Sequence, residues 1–102
     1  MKFNFQNPLK HHRDAGLIIL LAATHPDPKV LEALSQMTHL TVREAFTTRG
    51  VLQNLSGVHL VILGDLVSLA DVSNEVMQST LDRSGIPFVS QVDFLIDPEE
   101  WI

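Results

Sequence analysis

The chain has 102 residues, no cysteine and a formal net charge of -5. That length suits one compact domain, which buries about two-thirds of the surface of its unfolded chain and needs no metal or disulfide to fold. Hydrophobic residues at 45%, charged residues at 19% and a mean hydropathy of +0.16 set it apart from disordered chains. Without cysteine there is no disulfide scaffold, thiol nucleophile, iron–sulfur cluster or cysteine zinc site. With 12 Asp and Glu against 7 Lys and Arg, the chain also lacks the basic field that nucleic acid binding needs, so nucleic acid is not an expected partner.

Residues 1–15 read as an N-terminal arm with Asn4, Asn7, Pro8 and the basic cluster Lys10, His11, His12 and Arg13, and residues 16–102 as a single α/β domain. The longest apolar run, 17–23, is about a third of a membrane-spanning helix, so no membrane association is expected. Asp14 interrupts its basic flank, and cleavage after Ala23 would delete a central strand, so it reads as a strand rather than a secretory signal. A cytoplasmic location follows, which the lack of cysteine permits.

The run 17–23 is continuously apolar and short, the signature of a strand buried on both faces. Asp27 then supplies an N-cap and Pro28 a first helical position for a helix that commits Val30, Leu31, Leu34 and Met37 to the core. Residues 39–45 alternate Leu40 and Val42 with Thr41 and Arg43, a half-exposed strand. Thr47 or Thr48 caps a second helix carrying Val51, Leu52 and Leu55, which Gly57 ends. A second unbroken run at 58–63, with only His59 polar, predicts another buried strand closed by Gly64 and Asp65. Asp71 or Ser73 starts a third helix with Val72, Val76, Met77 and Leu81, stopped by Gly85 with Pro87 beyond. A fourth strand is expected from Pro87 through Val92 toward Phe94. Asp97 and Pro98 then begin a last helical turn that presents Trp101 and Ile102.

Alternation of strand and helix gives a parallel sheet with right-handed crossovers. The two continuously apolar strands belong in its centre and the other two at its edges, which predicts the order 2-1-3-4: a three-layer, four-stranded, flavodoxin-like or Rossmann-like half with helices on both faces. Ligands in such sheets lie beyond the C-terminal ends of the strands. The residues expected there are Thr24, His25 and Asp27 after the first strand, Phe46, Thr47 and Thr48 after the second, Gly64 and Asp65 after the third, and Ser90, Gln91 and Asp93 along the fourth; the ligand-binding candidates among them are Thr24, His25, Asp27, Thr47, Thr48, Asp65 and Ser90.

No established chemistry fits that set. Pro26 and Pro28 remove donors a phosphate would need, Asp27 places a negative charge there, and both the dinucleotide fingerprint and the Walker pattern are missing. The second loop, with Thr47, Thr48, Arg49 and Gly50, is friendlier to an anion, although paired threonines before a helix read first as a cap. His25, Asp27 and Asp65 are the best trio for a divalent ion or proton transfer, but read more simply as a loop residue, a cap and a strand end. His59 reads as a hydrogen-bonded histidine rather than a ligand. Ser90 lacks the strained glycine elbow and has no histidine after it in the chain. No catalytic residue, metal or cofactor is expected.

Leu60-Val61-Ile62-Leu63-Gly64-Asp65 and Ile86-Pro87-Phe88-Val89-Ser90 resemble the third and fourth strands of a response-regulator receiver domain. The resemblance is one of hydrophobic pattern over most of residues 16–92. Its phosphoryl chemistry does not carry over: Ala23-Thr24 replaces the acidic pair, Gly64 stands at the phospho-acceptor position with Asp65 one place late, and no fifth strand with a lysine follows. It implies at most a degenerate regulatory domain.

The C-terminal segment is apolar for a chain that then stops. Phe94, Ile96, Trp101 and Ile102 are expected either to fold back over the sheet or to form an association surface beside an open edge strand. The preferred reading is a small non-catalytic module that acts as a homo-oligomer or through a protein partner. The alternative is an enzyme or ligand-binding domain that uses His25, Asp27, Asp65 and Ser90.

Overall fold

The computed structural model describes residues 16–102; the expected N-terminal arm, with His11 and His12, lies outside the described residues. Four parallel strands, β1 (Leu17–Ala22), β2 (Leu40–Ala45), β3 (Leu60–Leu63) and β4 (Phe88–Ser90), form one sheet of order β2-β1-β3-β4. The described residues also form five helices: α1 (Pro28–Ser35), α2 (Thr48–Gln53), α3 (Asn74–Ser84), α4 (Gln91–Ile96) and α5 (Pro98–Trp101). The sheet order and the α/β layering are those expected from strand character.

The two-residue period of the strands divides the core into two layers. Leu17, Ile19 and Leu21 of β1 join Leu60, Ile62 and Val89 on one face, where Val30 and Leu34 of α1, Phe94 of α4 and Ile102 cover them. Leu20 and Ala22 join Val61 on the other face under Val51 of α2 and Met77 and Leu81 of α3. This is why β1 and β3 are apolar at every position: both faces are covered, and only Ile18 and Leu63 are partly exposed.

Helix ends follow their local chemistry. Asp27 accepts from Lys29 N at 2.9 Å, and Ser73 accepts from Val76 N at 3.2 Å. Gly85 closes α3 with φ +69°, a left-handed position that favours glycine. Between Thr47 and Thr48 the cap is Thr47, and between Asp71 and Ser73 it is Ser73. Helix α2 ends at Gln53, before Gly57, which instead turns the chain toward β3 with φ +75°.

The C-terminal segment departs from expectation. β4 stops at Ser90 rather than continuing toward Phe94, because Ser90 Oγ accepts from Asp93 N at 3.1 Å and starts α4. The helical turn swings Phe94 under the sheet, where it is 0% exposed, and α5 then delivers Ile102 to the same layer. The chain therefore folds back over its own sheet, with Phe94 and Ile102 inside.

Candidate functional site

Beyond the C-terminal ends of β1 and β3 lies the crevice that a doubly wound sheet offers to ligands. Here the chain's own side chains occupy it. Asp27 N donates to Gln91 Oε1 at 2.9 Å, linking the start of α1 to the start of α4 across the crevice. A Cβ on Gly64 would stand 2.3 Å from Gln91 Nε2 and 2.7 Å from Ala23 Cβ. The Gln91 amide thus packs directly on the Gly64 backbone, an approach only glycine permits.

Thr24 binds the neighbouring loops together. Its Oγ1 donates to Phe46 O at 2.8 Å and accepts from Val67 N at 2.9 Å, while its N–H donates to Asp65 O at 2.7 Å. The second loop is equally committed. Thr47 Oγ1 accepts from Gly50 N at 3.0 Å as the α2 cap. Thr48 is fully buried; its Oγ1 donates to Val72 O at 2.6 Å and accepts from Leu69 N at 3.3 Å, anchoring the segment between β3 and α3. A buried hydroxyl with both roles filled is a structural hydrogen bond.

Of the seven ligand-binding candidates at the strand ends, five (Thr24, Asp27, Thr47, Thr48 and Ser90) hold backbone groups of this chain. His25 and Asp65 are exposed. Among the described residues no three His, Asp or Glu side chains are gathered to hold a metal ion. His59 is tied to β1: Ile18 N donates to its Nδ1 at 3.0 Å, and its own N–H donates to Ile18 O at 2.9 Å.

Arg49, the cation of the anion-friendly loop, is paired with Asp71 on the surface. The hydrogen bond from its guanidinium holds the Asp71 carboxyl below the usual aspartate range. A depressed carboxyl pKa contributes stability above the unfolded-state pKa, and that contribution is lost as pH falls through the folded-state value. Carboxyl NMR titration should therefore place the Asp71 midpoint below that of an unpaired aspartate, and Arg49→Gln should raise it. Because the pair is exposed, the thermal midpoint at neutral pH should hardly move.

Open surface among the described residues lies elsewhere. A groove of about 660 Å³ runs along β4, bounded by Gly64 and Asp65 at the end of β3, Gln78 of α3, and Asp93 and Trp101 beyond the strand. Val61 N donates to Pro87 O at 3.0 Å, so alternation turns the N–H and C=O of Phe88 away from β3 toward the groove. Beside it, Val92 and Ile96 stand one turn apart on α4 at 74% and 78% exposure. Of the four residues expected at an association surface, Ile96 is outside, Trp101 is half-buried, and Phe94 and Ile102 are in the core.

Sequence reasoning placed Gln91 among the strand-end residues, but on an extended fourth strand rather than at the start of a helix, and it did not single out Val92. The available signal was Ser90-x-x-Asp93, a capping-box spacing that turns the strand into a helix and puts Gln91 over the crevice. No helix of the described residues is long and apolar enough to cross a membrane. Comparisons with protein-family models, curated proteins and solved structures found no match.

Proposed function

We propose that this chain is a cytoplasmic, non-catalytic module that works by binding another polypeptide at the β4–α4–α5 end. The observation that carries this reading is the pair Val92 and Ile96, the two most exposed large hydrophobic residues among the described residues, side by side on α4. They adjoin an open strand edge and a half-buried tryptophan, a combination suited to strand addition with an aromatic anchor.

The charge of this end defines the occupant. Asp93, Asp97, Glu99 and Glu100 fall within residues 85–102, which contain no lysine or arginine. The partner is therefore a segment that presents apolar side chains together with basic ones. The occupation of the crevice by Gln91 and Thr24 supports a binding role over a catalytic one.

Trp101 is the only tryptophan and lines the groove, so its fluorescence reports on the site directly. An alternating Leu/Lys peptide should give a saturable change in emission that an alternating Leu/Glu peptide does not. The double variant Val92→Ser, Ile96→Ser should weaken the response about tenfold, as expected for losing the burial of two aliphatic side chains in part. Raising salt to about 1 M should weaken it further by screening. No change in emission, or equal responses to both peptides, would refute the proposal.

A further inference from the structure

We infer that the other edge of the sheet, β2, pairs with β2 of a second copy, antiparallel about a two-fold axis at Val42, so that two sheets become one. This surface is remote in the sheet order from the β4 end and does not rest on the function proposed above. β2 is six residues long, twice the length of β4, with neither a proline nor a glycine within it. It lacks those devices that blunt an edge strand.

The hydrogen-bond ladder fixes which groups are offered. Leu17 N donates to His39 O at 2.8 Å and Ala23 N to Ala45 O at 3.0 Å. With the observed register, the N–H and C=O groups of Thr41 and Arg43 turn toward β1, and those of Leu40, Val42 and Glu44 turn outward. Those three residues are centred on Val42. An antiparallel copy placed there sets Val42 opposite Val42, and Leu40 of each copy opposite Glu44 of the other.

Side chains and charge agree with this register. Val42 and Leu31, each 39% exposed, flank an apolar groove between α1 and β2 that also includes Met37 and Leu40. Lys29, Glu32, Arg43 and Glu44 make this edge locally neutral in a chain of net charge -5, so two copies meet here without the like-charge opposition of the acidic β4 end. The two Glu44 residues would be about 14 Å apart along the strands, beyond the screening length at physiological salt. Arg43 donates to Ser56 O at 2.7 Å and to Asn54 O at 3.2 Å, which holds it within its own chain.

The absence of cysteine makes a single introduced thiol an unambiguous probe. Directly opposed residues of a hydrogen-bonded antiparallel pair have Cα atoms about 5.5 Å apart, within disulfide range. In the full chain, Val42→Cys should oxidise to a covalent dimer much faster than Val92→Cys. Sedimentation should show a reversible dimer of the unaltered chain. Val42→Pro removes only an outward N–H, so circular dichroism should show a folded chain while the dimer dissociation constant rises about tenfold or more. A chain that remains monomeric at millimolar concentration would overturn the inference. So would a dimer unaffected by Val42→Pro in a folded variant, or equal cross-linking of the two thiol variants, which decides the matter if Val42→Pro does not fold.

Discussion

Replacing Phe94 by alanine is expected to destabilise the domain by about 3–5 kcal/mol, the range for deleting a fully buried phenylalanine. Phe94 is 0% exposed and packs in the layer shared by α1, β1, β3 and Ile102. Domains of this size are stable by only about 5–15 kcal/mol, so the change removes a large fraction of the total. Urea unfolding followed by circular dichroism should show a much lower midpoint. Ile96→Ala, one half-turn away but 78% exposed, should stay within about 0.5 kcal/mol of the unaltered chain. Equal effects from the two substitutions would show that α4 is not docked through Phe94.

Substituting Gly64 by alanine should cost about 1–3 kcal/mol through overpacking. The added methyl meets Gln91 Nε2 at 2.3 Å and Ala23 Cβ at 2.7 Å, and Ala23 is completely buried with no room to yield. The glutamine can move only by giving up its bond from Asp27 N. Gln91→Ala should therefore relieve part of the penalty, and thermal or urea unfolding of the two single variants and the double variant should reveal coupling of at least about 0.5 kcal/mol. Strictly additive effects would mean that Gln91 does not pack on Gly64.

The core strands were legible because their signal is local. Residues 17–22 and 60–63 are apolar without interruption, which is what burial on both faces requires, and their central placement follows from the same fact. Helix caps were legible at Asp27 and Gly85 because one residue carries the signal. α4 was misread because a six-residue element is too short to separate a helical period from a strand period. Phe88, Val89, Val92 and Phe94 fit either, and the Ser90 cap decides between them.

The candidate site shows the same division. Composition and motif reading pointed away from nucleotide, metal and nucleophilic chemistry and toward the apolar C-terminal segment, without separating its buried residues from its exposed ones. Asp27, Thr47 and Ser90 cap helices within three residues of themselves, but other strand-end hydrogen bonds reach distant partners, as with Thr24 to Phe46, Thr48 to Val72 and Asp27 to Gln91. No local pattern reports such pairings.

By itself, then, the sequence determined the parallel sheet, its order and the burial of its two central strands, because hydrophobic periodicity and caps act over a few neighbouring residues. Only the tertiary structure decided that Gln91 fills the crevice, that Phe94 and Ile102 turn inward while Val92 and Ile96 face water, and that β2 is the longer edge strand among the described residues. Those outcomes depend on which distant elements compete for the same space, and side-chain packing in three dimensions settles that competition.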